Sequence, residues 1–305
     1  MQSPKYGLIG GMNIASIDHI VLAASNLEAA AAPFERLGLN LTPRGTHQSF
    51  GTENRALFVG NQESEFYVEL LGVHDRAAAE HAPSRSSLLR AIEANPAVFR
   101  LMLGTDDLGA AKAAFAAKGI ACAEEEVFRG DGTKIGDVLR PEATDFAGCE
   151  IALMKYAEPA EARRSRHATV GLHTHGFPLK RLDHLAVFTP TLEETTRFWV
   201  ETLGVPVFGE VTRPGVMIIR QMKIGDAVVE LLGPDGADSP MAKRPPGIAS
   251  MAAFEVPNLD EAVALTRERG FTVPEGAVGI LPGTRVATIP PTELSGMALQ
   301  LLEYV

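Results

Sequence analysis

The chain has 305 residues, of which 46% are hydrophobic and 22% are charged, a composition typical of a soluble globular protein with two domains. Its 28 Lys and Arg against 38 Asp and Glu give a formal net charge of -10, which argues against nucleic acid or a membrane surface as a partner. The N-terminus does not resemble a signal peptide, so we expect a cytoplasmic location. Cys122 and Cys149 are too far apart for a zinc knuckle or a CxxC pair and are expected to be free thiols.

The first structural unit begins with a strand over residues 17–22, which are rich in β-branched side chains and include the pair Asp18-His19. Ser25 and Glu28 have the spacing of a capping box, which predicts that a helix starts there. Gly38 stands where that helix should end. Further apolar segments follow, up to residues 68–72. The order is therefore strand, helix and about three strands.

This unit recurs along the chain. A second helix is predicted to end at Gly119, and a fourth to begin at Asn258, a good N-cap residue. Thr191 and Glu194 form a second candidate capping box, which opens the third helix. The sequence thus predicts an α+β fold of four βαβββ modules in two domains, residues 14–156 and 181–305. The charged, aperiodic residues 157–180 are predicted to be a linker.

The two domains repeat a His and a Glu at equivalent places. Residues 182–184 (Leu-Asp-His) match residues 17–19 (Ile-Asp-His), and Val-Glu-Leu-Leu-Gly occurs both at 68–72 and at 229–233. His19 and His184 therefore begin the first strand of each half, while Glu69 and Glu230 lie in the fourth strand. Two chemistries fit this pattern: metal ligation by both residues, or a hydrogen-bonded His–Glu pair without a metal.

A paired βαβββ unit with Asp-His in its first strand and Glu in its last resembles the vicinal oxygen chelate superfamily. This superfamily includes glyoxalase I, methylmalonyl-CoA epimerase, extradiol dioxygenases and bleomycin-resistance proteins. The resemblance covers residues 14 to 304, and the C-terminal half is similar to methylmalonyl-CoA epimerase at residues 230–234, 239–243 and 296–303. It implies two cupped mixed β-sheets, each of which could hold one divalent ion such as Zn, Ni, Co, Mn or Fe.

In the C-terminal half, the resemblance assigns the metal ligands to His184, Glu230 and Gln300. A fourth ligand, His in the family, is replaced by Met251, whose thioether is a poor ligand for a hard divalent ion. The C-terminal cup is therefore the stronger metal candidate.

In the N-terminal half, the resemblance assigns only His19 and Glu69 as ligands. Arg100 and Ala152 occupy the other two places. Arg100 would bring a fixed positive charge into this cup, suited to a carboxylate or phosphate of the ligand, or it would pair with Glu69.

Other polar residues are candidates for contacts with a substrate. His47, Asn54 and Arg55 precede the strand of Glu69 and are predicted to lie at the rim of the cup, with ordinary turn chemistry as the alternative. His173 and His175 have no carboxylate nearby in sequence and are predicted to be solvated linker residues.

The first hypothesis for function is a metal-dependent lyase or isomerase acting on a small oxygen-chelating substrate, with Glu230 as the catalytic base. The second is a metal-free small-molecule binding protein of the bleomycin-resistance type, in which Met251 and Arg100 line the ligand pocket. An extradiol dioxygenase is third, because its facial triad needs two His and each half supplies one. The sequence leaves open a monomer or a homodimer, and whether modules pair within or across the halves.

Overall fold

A computed structural model describes residues 12–47, 50–61, 63–94, 98–142 and 147–305. In these residues the N-terminal half forms one eight-stranded sheet of order β2-β3-β4-β1-β5-β8-β7-β6. Its first module contains β1 (Ser16–Ala23), α1 (Leu27–Arg36), β2 (Gly45–His47), β3 (Thr52–Gly60) and β4 (Glu65–Val73). Helices α2 (Arg76–His81) and α3 (Ser86–Ala94) connect the modules. The second module contains β5 (Val98–Gly104), α4 (Leu108–Ala117), β6 (Cys122–Phe128), β7 (Lys134–Pro141) and β8 (Glu150–Tyr156).

The C-terminal half repeats this sheet with the order β10-β11-β12-β9-β13-β16-β15-β14. Helix α5 (Ala160–Thr169) lies between the halves, inside the predicted linker. The third module contains β9 (Arg181–Phe188), α6 (Leu192–Glu201), β10 (Val207–Arg213), β11 (Met217–Ile224) and β12 (Ala227–Pro234). The fourth contains β13 (Gly247–Glu255), α7 (Leu259–Glu268), β14 (Ala277–Val278), β15 (Thr284–Ile289) and β16 (Ala298–Tyr304). The predicted α+β fold of four βαβββ modules is confirmed.

The modules pair within each half. Strand β1 pairs antiparallel with β5, and β9 pairs antiparallel with β13, so the first strands of two consecutive modules join each sheet at its centre. This pairing answers the question that the sequence leaves open. It also means that each half holds its own complete candidate site.

Strand alternation separates a shared core from the two cups. Ile20 and Leu22 of β1 belong to a large core cluster that runs through both halves, where the rings of Phe66 and Phe254 lie 5.9 Å apart. Val21 belongs to a smaller cluster on the opposite face, against which Leu88 of α3 packs. We call this opposite face, which also carries His19, the cup face, and use the same term for the equivalent face of the second sheet.

The halves also meet through the side chain of Trp199 on α6. It is fully buried, and its indole Nε1–H donates a hydrogen bond of 3.0 Å to the carbonyl oxygen of Ala147 in the N-terminal half. No helix in the described part of the chain is both long and apolar enough to span a membrane.

The helix ends partly follow the predictions. Asn258 caps α7 through its side chain, which accepts a hydrogen bond of 3.1 Å from the amide of Glu261, and Gly38 has the expected positive φ of 82° after α1. Both capping boxes are wrong. Helix α1 is capped by Asn26 rather than Ser25, and the side chain of Thr191 makes no capping hydrogen bond to α6.

This difference between two caps predicts a difference in stability. Asn258→Ala removes a side-chain capping bond and should lower the free energy of unfolding by about 1 kcal/mol. Thr191→Ala removes no such bond and should change it by less than about 0.5 kcal/mol. Urea denaturation of the two variants measures both values, and equal losses would contradict the assignment of the caps.

Candidate functional site

The C-terminal cup contains a buried His–Glu pair. His184 Nε2 on β9 and Glu230 Oε2 on β12 face each other across adjacent strands at 3.9 Å. Both residues are 7% exposed. This separation is too long for a hydrogen bond. It is close to the separation of two ligands of one ion, because two atoms each about 2.1 Å from a tetrahedral zinc ion lie roughly 3.4 Å apart.

A carboxylate on the Nδ1 side of the ring holds the imidazole of His184 in place. Its Nδ1 lies 2.8 Å from Asp183 Oδ1, and Tyr304 donates a hydrogen bond of 2.6 Å to the other oxygen of Asp183. A carboxylate behind the imidazole fixes the ring so that Nε2 faces the cup, as it does behind metal-binding histidines. Burial disfavours the charged imidazole, but the bond to Asp183 and the charge of Glu230 outweigh it and raise the pKa of His184. Burial and the bond to Asp183 raise the pKa of Tyr304 to about 12.

The carboxylate of Glu230 is also oriented. Gln221, directly opposite on β11, donates a hydrogen bond of 3.1 Å from Nε2 to Glu230 Oε1, which leaves Oε2 facing His184. Gln300 lies two strands from His184, because Ala253 of β13 pairs with both residues. Its amide nitrogen lies 3.4 Å from Thr288 Oγ1, so its carbonyl oxygen is the atom suited to ligate.

The wall of this cup is apolar. Met251, at the place that the resemblance assigns to a fourth ligand, packs with Ile219 and Leu232 in a separate cluster on the cup face. The two other methionines that pack against this cluster are Met217 and Met241. Because a thioether is a poor ligand for a hard divalent ion, these side chains do not compete with the His–Glu pair for one.

The N-terminal cup repeats the pair and its supports. His19 Nε2 lies 3.8 Å from Glu69 Oε2, and His19 Nδ1 lies 2.6 Å from Asp18 Oδ2. Tyr156 donates to that oxygen of Asp18 at 2.8 Å, and Asn54 donates to Glu69 Oε1 at 2.7 Å. The same chain therefore builds a His–Glu pair twice, with an aspartate and a tyrosine behind each histidine and an amide beside each glutamate.

Arg100 distinguishes the N-terminal cup from the C-terminal one. It is 5% exposed and does not pair with Glu69, the alternative considered from the sequence. Its guanidinium donates to Glu150 Oε1 at 2.6 Å and to Ser87 Oγ at 2.8 Å instead. Ala152, at the other predicted ligand position, is fully buried in the cup-face cluster and offers no ligand atom.

Two further arginines line this cup, and the sequence did not single them out. Arg85, Arg100 and Arg140 border a cavity of about 120 Å³ that also includes His19 and Glu69. Arg85 and Arg140 share the single carboxylate of Glu125, with Arg85 Nη1 3.6 Å from it. Among the described residues, Arg85 Nε has no hydrogen-bond partner. Burial and the neighbouring guanidinium groups lower the pKa of Arg85 to about 10, despite the attraction of Glu125.

A larger chamber of about 550 Å³ adjoins this cavity, with His47, Asn54 and Tyr67 in the walls of both. The ring of Tyr67 stacks on His19 at 4.1 Å between centroids. Four basic side chains line the chamber: Arg129, Lys134, Arg163 and Arg166. The N-terminal cup therefore opens through a basic chamber, although the whole chain is acidic.

Of the three residues predicted at the rim of the N-terminal cup, two line the cup and one does not. His47 and Asn54 do line the cup, and His47 Nδ1 lies 3.1 Å from Thr52 Oγ1. Arg55 does not contact this cup: it lies on the other face of β3, where it pairs with Glu28 and Glu35 of α1 at 3.0 and 2.6 Å. The prediction for Arg55 as a substrate-binding residue is therefore wrong, because adjacent residues of a strand point to opposite faces.

The two histidines of the linker are not solvated as predicted. His173 Nε2 lies 2.8 Å from Glu65 Oε2, and His175 Nε2 lies 2.7 Å from the carbonyl oxygen of Phe58. The partners are more than 100 residues away in sequence, so no local pattern could indicate them.

A duplicated chain with a His–Glu pair in each cupped sheet defines a two-domain glyoxalase-like protein. A family model described as a glyoxalase-like domain matches residues 17–169, and one described as the Glyoxalase/Bleomycin resistance protein/Dioxygenase superfamily matches residues 183–288. The chain belongs to this superfamily, which is the vicinal oxygen chelate superfamily.

Among curated proteins, the chain is 32% identical over 131 residues to mitochondrial methylmalonyl-CoA epimerase of Bos taurus, covering 40% of this chain and 74% of that protein. It is 31% identical over 130 residues to the Homo sapiens enzyme, covering 40% and 73%.

Two solved structures share the fold over nearly the whole chain. A variant of 4-hydroxymandelate synthase from Streptomyces coelicolor is 16% identical, with 96% of this chain and 93% of that one covered and a TM-score of 0.66. A hypothetical protein from Staphylococcus aureus is 13% identical, with 94% and 98% covered and a TM-score of 0.63. At these identities the likeness concerns the fold.

Proposed function

We propose that the protein is a divalent-metal-dependent lyase or isomerase of the glyoxalase and epimerase type, with its reaction in the C-terminal cup. The observation that carries this proposal is the 3.9 Å separation of His184 Nε2 and Glu230 Oε2, each held from behind by a hydrogen-bonded partner. Gln300 on the same sheet supplies the third ligand. The similarity over 40% of the chain to methylmalonyl-CoA epimerases supports proton-transfer chemistry.

The residues of this cup have separate roles in the proposal. When bound, the ion would polarise the adjacent oxygens of a small substrate and stabilise the negative charge that develops as a proton leaves the neighbouring carbon. Glu230 is the base for that proton: in this proposal its Oε2 would leave the ion to accept the proton, while Gln221 keeps its other oxygen in place. The apolar wall around Met251 limits access of water to the carboxylate.

Isotope exchange tests this function directly. Protein supplied with Zn, Ni, Co, Mn or Fe is incubated in D2O with methylmalonyl-CoA and with a glyoxalase-type hemithioacetal, and loss of the carbon-bound proton is followed by NMR. We expect metal-dependent exchange with a small oxygen-chelating substrate, and Glu230→Gln should slow it by at least about 100-fold. Glu69→Gln, the same change in the other cup, is the control. Absence of both bound metal and exchange would contradict the proposal.

The N-terminal cup favours a second function, metal-free binding of a small organic anion. The specific observation is that Arg85 and Arg140 share one carboxylate in the wall of the cavity, beside Arg100. A carboxylate or phosphate group of a ligand would balance the one charge of Arg85 and Arg140 that Glu125 leaves unpaired, because guanidinium groups bind such anions through paired hydrogen bonds. The adjoining 550 Å³ chamber has room for the rest of the ligand.

Thermal unfolding in the presence of anions tests this second function. An anion at ten times its Kd stabilises the folded state by about 1.4 kcal/mol, which should raise the Tm of the protein by about 2–4 °C. Phosphate and small dicarboxylates are the probes. Arg85→Met should abolish the rise, and Arg55→Met, which changes an arginine on the opposite face of the same sheet, should retain it. An equal rise in both variants would show that the anions bind elsewhere.

A further inference from the structure

Outside both His–Glu pairs, one carboxylate oxygen receives two imidazoles. Glu65 begins strand β4, and its Oε2 lies 2.7 Å from His167 Nδ1 and 2.8 Å from His173 Nε2. His167 lies in the last turn of α5, and His173 follows the end of that helix. The cluster therefore joins the segment between the halves to the sheet of the N-terminal half.

The cluster is compact and almost inaccessible to solvent. The side chains of Glu65, His167 and His173 are 4%, 7% and 9% exposed. Their facing atoms lie within 4.8 Å of one another, and among the described residues this is the only group of three His, Cys, Asp or Glu side chains that meets that distance. Three potential ligands therefore converge where water has little access.

Neighbouring side chains hold two members of the cluster, His167 and Glu65, in place. The ring of His167 packs against Phe58 at 4.6 Å between centroids, and Arg163 Nε lies 3.6 Å from the second oxygen of Glu65. Arg163 itself stacks over Tyr156 at 3.5 Å. One oxygen of Glu65 therefore faces the two imidazoles, while its other oxygen faces the guanidinium of Arg163.

Two imidazole nitrogens and one carboxylate oxygen are a common protein ligand set for zinc. We propose that Glu65, His167 and His173 bind one Zn²⁺ ion, at a site distinct from both cups. Each neutral imidazole can carry its proton on the nitrogen that faces away from the cluster, which leaves His167 Nδ1 and His173 Nε2 free to bind the ion. The ion replaces two hydrogen bonds and ties α5 and the segment after it to β4.

The site is separate from the N-terminal His–Glu pair. Glu65 precedes Glu69 by four residues on the same face of β4, which places their Cα atoms roughly 13 Å apart along the strand. An ion bound at Glu65 therefore does not share ligands with an ion bound in the cup. Its expected role is structural.

Zinc titration of the full-length chain tests this site. The parent is a His19→Ala, His184→Ala double variant, so that neither cup contributes, and it is stripped with a chelator before titration. We expect one equivalent of Zn²⁺ to bind, and Co²⁺ in its place to give visible absorption bands of nitrogen and oxygen coordination. His173→Gln can still donate an N–H to Glu65 but loses the imidazole ligand. Its affinity for zinc should therefore fall by more than about 100-fold, which exceeds the loss caused by removing a residue that only hydrogen-bonds to a ligand.

The matched control is His175→Gln, two residues away and outside the cluster, which should bind zinc as tightly as the parent. Two outcomes would overturn the proposal: no zinc bound by the double variant, or equal affinity in the parent and in His173→Gln. The Co²⁺ spectrum of the parent and its rise in Tm with zinc keep the test valid if His173→Gln folds poorly. Because both cup histidines are absent, the result does not depend on the metal site proposed for the C-terminal cup.

Discussion

His184→Ala is expected to lower the affinity of the C-terminal cup for the divalent ion proposed there by more than about 100-fold. The variant removes one of the three proposed ligands, and Glu230 and Gln300 alone fall below the number that protein sites use to hold zinc. His19→Ala should leave this ion in place, because the N-terminal cup has Arg100 and Ala152 where further ligands would stand. Elemental analysis and calorimetric titration of both variants measure the difference.

An ion bound at the Glu65 cluster would be counted together with an ion in the C-terminal cup, so both variants are made in a His173→Gln background. His19 and His184 are matched controls for each other, since each has an aspartate on Nδ1 and a glutamate 3.8 or 3.9 Å from Nε2. If His19→Ala removed the ion and His184→Ala did not, the metal site would belong to the N-terminal cup. If the parent bound no ion at all, the lyase or isomerase proposal would fail and the anion-binding proposal would remain.

Trp199→Ala should produce the largest loss of stability, about 4 kcal/mol. Its ring is fully buried in the core shared by the two halves, and its removal leaves a cavity and also an unpaired carbonyl at Ala147. Trp199→Phe keeps most of the ring packing and loses the hydrogen bond, so it should cost about 1–2 kcal/mol. Urea unfolding followed by circular dichroism measures both.

The same experiment reports on cooperativity. Because the core is continuous between the halves, we expect Trp199→Ala to unfold in one transition at a lower urea concentration. Two separate transitions in the wild type would contradict a shared core.

The fold could be predicted because its signals are local and repeated. Asp-His in the first strand recurs in both halves. An Asn, Asp or Thr before the module helix and a Gly after it recur in all four modules, and each of these signals reflects chemistry within a few residues. The pairing of β1 with β5 could not be predicted in this way. It joins residues about 80 positions apart, and nothing in either strand specifies its neighbour.

The candidate site was predictable to the same extent. The repeat indicates both His–Glu pairs, which are His19 with Glu69 and His184 with Glu230. The tyrosines behind the histidines could also have been predicted, since Tyr156 and Tyr304 each end the last strand of a half. The arginine pair at Glu125 could not have been predicted, because Arg85 lies in the connection between two modules, a segment that is not part of the repeated unit. Arg55 was assigned to the wrong face because the sequence does not tell which of two adjacent polar residues of a strand faces the cup.

Pairing of modules within each half has a consequence for how the protein can change over time. Each cup is assembled from one half alone, so a mutation that removes a ligand from one cup leaves the other complete. Selection can then preserve chemistry in one copy while the other acquires residues for a new ligand. Arg100 beside His19, in a chain that still carries Gln300 and His184, is the arrangement that such divergence of two copies would produce.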